Sequence, residues 1–157
     1  MTTHYYRMKP GQESAVVQIV RNLSIDFGSR FTSKISEQVL RDNADMLRIE
    51  VAEETGKIIG FCSWVMTFST WRGAKGMYIS DHYMEPDHWS EKTAKELLQL
   101  AVKNASAEGA CFARLEVDLS EEQSGDFYSD IGFWYEARLM LHYLETGPMT
   151  RFVSAKI

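Results

Sequence analysis

Three side chains in this sequence are of types that move protons, and they lie in two separate stretches. Asp81 and His82 are neighbours in "MYISDHYM", and Tyr128 lies in "FYSDIGF". A carboxylate can orient a cationic amine or help to deprotonate it through water, and a histidine titrates near neutral pH. A phenol with a pKa of about 10 can protonate a basic leaving group. Two plainer interpretations stay open: Asp81 and His82 could belong to a solvated polar face, and Tyr128 could pack in the core.

A strand followed by a helix must position the first pair. The predicted strand runs from Met77 to Met84 and ends before Pro86. The stretch "PDHWSEKTAKELL" then begins a helix, with Ser90 as its N-cap and Gly109 just after its end. Its apolar face consists of residues spaced by three and four: Ala94, Leu97, Leu98, Ala101, Val102 and Ala105. A helix N-terminus beside a strand end can hold an anionic ligand, because its N–H groups and dipole favour negative charge.

The hydrophobic period predicts the remaining elements. Predicted strands cover His4–Pro10, two runs within Asp45–Phe68 joined by a Gly-containing turn at Glu54–Lys57, Cys111–Leu119, and one or two runs within 133–145. Predicted helices cover a segment with the stripe Val16, Ile19, Val20, Leu23 and Phe27, part of Thr32–Asn43 with Ile35, Val39 and Leu40 on its apolar side, and Ser120 to Gly132. This order predicts an α/β fold with a mixed, partly parallel central sheet flanked by helices. We expect one domain over residues 1–146 and a C-terminal tail over 147–157 without an assigned role.

The bulk composition limits the class of protein. A chain of 157 residues with 45% hydrophobic and 25% charged residues suits one globular domain. Its formal net charge is −5 and its Lys and Arg residues are scattered, which argues against a nucleic-acid partner because such binding needs a basic stripe. The N-terminus lacks the apolar core of a signal peptide, and the longest apolar run, Ile58–Met66, is too short to cross a bilayer. We therefore expect a cytoplasmic protein that binds neither nucleic acid nor membrane.

The cysteines add no further chemistry. Cys62 and Cys111 stand alone in apolar surroundings, which predicts two buried and reduced thiols. The sequence has no CxxC pair and no metal-ligand spacing, so we predict no metal site.

Three segments resemble one known superfamily, the GCN5-related N-acetyltransferases. "FSTWRGAKGMYISDHYMEP" (Phe68 to Pro86) looks like the diamine and polyamine acetyltransferase branch, where "STW", a Gly and "IYLEDLYVxPE" recur. Pro86 to Leu98 aligns without gaps with the family pattern P-x-x-[RQ]-G-x-G-x-[GA] followed by Leu-Leu. "DFYSDIGFWYEARLMLHY" (Asp126 to Tyr143) is similar to the family ending "xFYxxxGFxxxxxxxxY".

The resemblance implies acetyl transfer from acetyl-CoA to a primary amine, on a small or polyamine-like molecule, by direct attack. It implies that Tyr128 protonates the CoA thiolate and that Asp81 orients or helps to deprotonate the amine. His82 is another candidate base because its pKa suits neutral pH, whereas the family usually has an apolar residue at that position. The backbone of Tyr83 and Met84 would bind the acetyl carbonyl and the pantetheine arm. Members of this family often dimerise, so a homodimer is a further expectation.

The implied pyrophosphate loop departs from the family pattern. It covers Trp89, Ser90, Glu91, Lys92, Thr93 and Ala94. Trp89 replaces an Arg or Gln, Ser90 and Lys92 replace two glycines, and only Ala94 fits its position. Glu121 stands where the family often has an Asn that touches CoA, and a carboxylate there would repel the anionic cosubstrate. The alternative is therefore a degenerate, non-catalytic binding or assembly module whose affinity for CoA is weak or lost.

Overall fold

The structure is a computed structural model that describes residues 2–26, 28, 33–117, 122–136 and 146–154. The chain forms two compact units, Met1–Glu122 and Gln123–Ile157. The elements up to the end of the sheet are β1 His4–Arg7, α1 Glu13–Asp26, α2 Glu37–Asp42, β2 Arg48–Glu54, β3 Lys57–Ser69, β4 Ala74–Met84, a 3₁₀ turn Pro86–His88, α3 Glu91–Ala107 and β5 Ala113–Arg114. Two helices follow, α4 Glu122–Asp130 and α5 Thr146–Ser154.

The strands form one sheet in the order β1-β2-β3-β4-β5. The pairs from β1 to β4 are antiparallel, and β4 pairs with β5 in parallel. The predicted α/β class and the mixed, partly parallel sheet flanked by helices are confirmed. The predicted hairpin is also confirmed, since β2 and β3 are joined by Thr55 and Gly56, whose φ angles are 49° and 83°. Two left-handed residues in a two-residue loop match the right-handed twist of the flanking strands.

Helix α1 packs on one face of the sheet. Its residues Val16, Val17 and Ile19 are buried, and Val16 and Ile19 belong to the predicted stripe. They form a core cluster with α2 and the sheet that includes Leu40, Ile49, Val51, Ile58, Phe61 and Tyr83. In α2 the predicted apolar side is correct for Leu40 but wrong for Val39, which is 42% exposed. The short α2 begins only after its N-cap Ser36, so it buries a single side chain among its described residues.

Helix α3 packs on the opposite face of the sheet. The buried residues of its apolar face are Ala94, Leu97, Leu98, Ala101 and Ala105, as the spacing predicts. Val102 is 37% exposed, so it lies at the margin of that face rather than within it. Gly109 follows the helix with φ +100°, a left-handed conformation that favours glycine and confirms the predicted helix end.

A buried charged residue, Glu50, lies between α3 and the sheet, and the sequence did not predict it. Its side chain is fully buried and accepts hydrogen bonds from Arg7 Nε at 2.7 Å, Trp64 Nε1 at 2.6 Å and Asn104 Nδ2 at 3.0 Å. Arg7 and Arg48 also lie over the Trp64 ring, 5.5 and 5.8 Å from its centroid. A buried carboxylate is tolerated only when it is paired and hydrogen-bonded, and this network meets that requirement.

The chain after α3 departs most from expectation. Within the described residues the strand is shorter than the predicted Cys111–Leu119: only Ala113–Arg114 is assigned as β5, and 115–117 has no strand assignment. Cys111 and Phe112 still form backbone hydrogen bonds with Lys75 and Met77 of β4, at 2.9 and 2.8 Å, while residues 118 and 119 lie outside the described residues. Burial of Cys62 is confirmed, whereas Cys111 is exposed and its predicted burial is wrong. Burial raises the pKa of the Cys62 thiol well above its usual value, so that thiol is inert.

The C-terminal expectations are met in part. The predicted helix that stops at Gly132 corresponds to α4, and Gly132 has φ +104°. Most of the predicted tail is helical, since α5 covers Thr146–Ser154. Residues 133–136 have no strand assignment, and 137–145, where closing strands were expected, lie outside the described residues. The domain boundary at residue 146 stays a prediction. Among the described helices, none is long and apolar enough to cross a membrane.

Candidate active site

A β-bulge in β4 decides which way the candidate site residues face. Ser63 of β3 pairs with Asp81, while the next residue, Trp64, pairs with Ile79, so Ser80 is one residue extra in β4. Side chains of directly paired residues lie on the same face of a sheet. Asp81 therefore faces α1, on the same side as Ser63, instead of facing α3 together with Trp64.

Asp81 is a partly buried carboxylate. Its Oδ2 accepts a hydrogen bond from Ser63 Oγ at 2.8 Å. Burial raises the pKa of Asp81 above its usual value, and the Ser63 hydrogen bond offsets part of that increase. A carboxylate with a raised pKa is a stronger base, which suits it to accept a proton or to hold a cation. Of the two polar neighbours that could form a solvated face, only Ser80 is exposed.

Tyr83 lies on the same face as Asp81, two residues further along β4. Its side chain is buried and its hydroxyl donates a hydrogen bond to Oδ2 of Asp26, the last residue of α1. Burial and the neighbouring Asp26 carboxylate raise the pKa of Tyr83, so its hydroxyl keeps its proton at neutral pH. The sequence assigned Tyr83 a backbone role only and missed this link. An acidic residue at a helix end gives no sequence signal of the strand it will meet.

Glu85, just after β4, makes further links to α1 and to β3. Its backbone N–H donates to the Ile59 carbonyl at 2.8 Å. Its carboxylate accepts from Lys57 Nζ at 2.5 Å and from Asn22 Nδ2 at 3.1 Å. The end of α1 is therefore fixed beside the end of β4 at two points, through Asp26 and through Asn22.

Among the residues that the structure describes, the edge of β4 that faces β5 is unpaired after Tyr78 and is called the open edge below. Within the described residues, β5 pairs only with Met77 and Tyr78. Consecutive residues point their N–H groups to opposite edges of a strand. Since the Glu85 N–H points to β3, the Met84 N–H points to the opposite, open edge. The Met84 side chain packs over Gly60 of β3. Only a glycine leaves room for it there, because a Cβ on Gly60 would lie 2.2 Å from the Met84 sulfur.

His82 faces α3, on the opposite side from Asp81. Its Nε2 lies 3.0 Å from the backbone carbonyl oxygen of Ala94. A carbonyl only accepts hydrogen bonds, so Nε2 carries the proton and donates it. Burial lowers the pKa of His82 to about 4, although the Ala94 hydrogen bond opposes that decrease. His82 is therefore neutral at physiological pH, and its predicted role as a base stays a prediction.

The loop between β4 and α3 is internally hydrogen-bonded. Ser90 is the N-cap of α3, as predicted, and its Oγ accepts from the Thr93 N–H at 3.1 Å. The Thr93 hydroxyl accepts in return from the Ser90 N–H at 3.0 Å, which completes a capping box. Two N–H groups that could face a bound anion are thus used within the loop.

The side chains of Trp89, Glu91 and Lys92 in this segment lie on the surface. Trp89 is 54% exposed, and its N–H donates to the Pro86 carbonyl at 3.3 Å. Glu91 is exposed in the first turn of α3, and Lys92 lies 4.0 Å from Glu96 with most of its side chain in solvent. Ala94 is buried and lets α3 approach the sheet closely.

The sequence of this chain matches the model of the acetyltransferase (GNAT) family over residues 17–133. The chain belongs to that family. The strand, loop and helix that carry Asp81 to Ala94 lie wholly within the matched residues of this GNAT protein. No curated protein sequence matches the chain.

Solved structures with the same fold share little sequence with this GNAT chain. An integron cassette protein from V. cholerae superposes with a TM-score of 0.80 at 16% identity, covering 99% of each chain. An aminoglycoside acetyltransferase from an uncultured soil metagenomic sample, solved with sisomicin, gives 0.77 at 16% identity over 90% of this chain and 94% of its own. A predicted acetyltransferase from Clostridium acetobutylicum, solved with acetyl-CoA, gives 0.73 at 19% identity over 91% and 97%.

The remaining predicted site residues of this GNAT chain lie further along the sequence. Tyr128 belongs to α4 in the second compact unit and is half-buried. Its ring makes edge contacts with Phe127 and Phe133, at centroid distances of 5.1 and 5.7 Å. The Phe133 N–H donates to the Tyr128 carbonyl at 2.9 Å. Glu121 lies outside the described residues. In the part of the chain that the structure describes, no cluster of three His, Cys, Asp or Glu side chains could hold a metal ion.

Proposed function

We propose that this GNAT protein transfers an acetyl group from acetyl-CoA to a primary amine of a small or polyamine-like molecule. The observation that carries the proposal is Asp81, a carboxylate with a raised pKa at the end of β4, in a chain of the acetyltransferase family. It lies three residues before the end of β4, whose open edge is described above, and α3 begins seven residues after that strand ends. Together these features suit a cationic acceptor on one side and an anionic cosubstrate on the other.

The reaction is a direct transfer. Asp81 attracts the ammonium form of the acceptor and takes its proton, either directly or through water. The amine nitrogen then attacks the thioester carbonyl, a C–N bond forms, and the C–S bond breaks. Tyr128 gives its phenolic proton to the CoA thiolate, and the acylated nitrogen loses its extra proton to solvent, from which Tyr128 is reprotonated. The backbone at Tyr83 and Met84 holds the acetyl and pantetheine groups by strand-like pairing.

The loop between β4 and α3 should bind the pyrophosphate of acetyl-CoA more weakly than a loop with the family pattern would. The loop lacks the Arg or Gln side chain, which removes a charge-assisted hydrogen bond of about 1.5–3 kcal/mol. The capping box of Ser90 and Thr93 uses two N–H groups within the loop. The positive charge of Lys92 and the N-terminus of α3 compensate in part. We expect acetyl-CoA to bind with micromolar affinity.

Calorimetric titration of acetyl-CoA at moderate salt tests this expectation. The matched variant carries Trp89→Arg, Ser90→Gly and Lys92→Gly, and it should bind more tightly because the loop amides become available. Affinity in the native chain at the micromolar level supports the proposal. A native chain without detectable binding, together with a variant that binds, would refute it and favour the degenerate binding module.

Turnover measurements test the identity of the acceptor amine and the role of Tyr128 as the general acid. The amine panel should contain polyamines and also aminoglycosides, because one of the compared structures is an aminoglycoside acetyltransferase. Acetylated products are read by mass spectrometry. Tyr128→Phe should lower turnover with the best amine about 100-fold or more while acetyl-CoA still binds. Unchanged turnover in this variant would remove Tyr128 from the mechanism.

A further inference from the structure

The side chain of His82 connects the strand and the helix that carry the candidate active site. Its Nε2 donates to the Ala94 carbonyl over 3.0 Å. Ala94 lies in the first turn of α3, is 2% exposed and packs directly against the sheet. The hydrogen bond therefore joins the end of β4 to the N-terminal turn of the helix that follows it.

We propose that His82 is a positioning residue that fixes the spacing between the end of β4 and the N-terminus of α3. This inference rests on the proposed function, because the spacing matters only if one ligand spans both places. Acetyl-CoA would place its pantetheine arm along β4 and its pyrophosphate at the start of α3. If the distance between β4 and the start of α3 changed, bound acetyl-CoA could not make both contacts with good geometry at the same time.

The hydrogen bond fixes the position of α3 along β4, which apolar packing at this interface does not do. The buried contacts between α3 and the sheet are non-directional, so they resist separation better than sliding of the helix along the strand. A bond from a fixed imidazole to one carbonyl defines the position of that turn along β4. The neighbouring side chains on this face, Cys62 and Met84, have no comparable donor.

The location of the bond favours positioning over proton transfer. Nε2 already donates to Ala94, so this nitrogen is not available to accept a proton from a substrate. His82 also faces α3, whereas Asp81 faces α1. A second link between α3 and the sheet, from Asn104 Nδ2 to Glu50 at 3.0 Å, lies ten residues further along the helix, about 15 Å away. It provides a matched control.

The experiment compares four single variants of the full chain. His82→Leu removes the donor at similar volume, and His82→Asn moves the donor out of reach of Ala94. His82→Gln keeps an amide N–H near the Nε2 position but has no titratable group. Asn104→Ala breaks the control link. Calorimetry gives the Kd of acetyl-CoA, and steady-state kinetics separate KM from kcat.

We expect His82→Leu and His82→Asn to raise the Kd and KM for acetyl-CoA roughly three- to tenfold, with kcat at saturation within about twofold. His82→Gln should stay near the native values, and Asn104→Ala should keep the native Kd although it lowers the melting temperature. If His82→Leu does not fold, the contrast between His82→Asn and His82→Gln decides.

Two results would overturn the proposal. A fall in kcat that is equal in His82→Gln and His82→Leu would make His82 a proton-transfer residue. An increase in Kd that is equal in Asn104→Ala and His82→Leu would reduce the role of His82 to general stability. Failure of the proposed function itself is distinguishable, because it would be seen in the native chain, as absent acetyl-CoA binding, before any variant is compared.

Discussion

The two faces of β4 near its end carry ionisable groups under opposite constraints. On the α1 face, burial raises the pKa of Asp81 and of Tyr83, so both favour their protonated forms more than usual. On the α3 face, burial lowers the pKa of His82 to about 4, so it stays neutral. The cause is the same, because burial always disfavours the charged form. The charged form is an anion for Asp81 and Tyr83 and a cation for His82, so the direction of the pKa shift differs between the two faces.

The largest expected effect is a loss of turnover when Asp81, on the α1 face of β4, is replaced. Asp81→Asn keeps the acceptor for Ser63 but cannot take a proton, so turnover of the best amine should fall by about 10²–10⁴-fold. Ser80→Ala, at the exposed neighbouring position, is the control and should leave turnover unchanged. Steady-state kinetics check both. Full activity in Asp81→Asn would show that the α1 face carries no base.

The second effect is a dependence of the free energy of unfolding on pH, which arises from His82 on the α3 face. The pKa of His82 is lower in the folded state, about 4, than in the unfolded state, about 6.5, so stability is present above pH ~6.5 and is lost as the pH falls toward 4. The loss approaches about 3 kcal/mol. Urea unfolding at several pH values should show this loss in the native chain and not in His82→Gln. If the free energies of unfolding of the native chain and of His82→Gln changed equally with pH, the fold would not be keeping His82 neutral.

Asp81 should give a pH effect of the opposite sign. Its pKa is raised in the folded state, so the carboxyl group contributes stability at low pH that is lost as the pH rises through the folded pKa. Relative to the native chain, Asp81→Asn should therefore gain stability on going from below pH ~3.9 to neutral pH. The same urea series measures it. An advantage of the variant that does not change with pH would contradict the raised pKa.

Smaller effects should follow from the links to α1. Tyr83→Phe removes the hydrogen bond to Asp26 and should lower the free energy of unfolding by about 0.5–1.5 kcal/mol, since Asp26 is exposed to solvent. Denaturant unfolding measures it, with Glu37→Gln, which removes an exposed ion pair within α2, as the control. A cost equal to that of the control would mean that the bond does not fix the end of α1.

The smallest effect is a shift of the pH–activity curve. Ser63 lowers the pKa of Asp81 through its hydrogen bond, so Ser63→Ala should move the acid limb of the curve to higher pH by less than one unit. Rates at saturating substrate across the acid range report it. Movement of that limb to lower pH would contradict the assigned donor.

Local signals predicted much of the fold. The stripe of α1, the apolar face and N-cap of α3 and the hairpin at Thr55-Gly56 follow from spacing and turn chemistry within a few residues. The errors lie where the outcome depends on distant partners. Residues 115–117 were predicted as part of a strand, yet within the described residues the pairing with β4 ends at Arg114. Strand length depends on an available partner, and the sequence of the strand alone does not give that.

The candidate site was predicted residue by residue but not in its arrangement. The acidic and histidine positions came from residue types and from the family resemblance, and the structure places them on one strand. The link from Tyr83 to Asp26 and the buried Glu50 network were not predicted, because each joins residues more than ten positions apart. Whether a polar residue of a strand contacts α1 or α3 depends on the register of the sheet.

The extra residue in β4 has a consequence for comparing this chain with distant relatives. If Ser80 paired regularly with Ser63, without the bulge, every later residue of the strand would change sides, so that Asp81 would stand opposite Cys62 and His82 opposite Phe61. Deletion of Ser80 alone would instead leave a regular strand in which Asp81 still pairs with Ser63 and His82 still pairs with Cys62. An alignment that is anchored before Ser80 and left without a gap would therefore match Asp81 with an α3-facing residue of any relative whose strand lacks the extra residue.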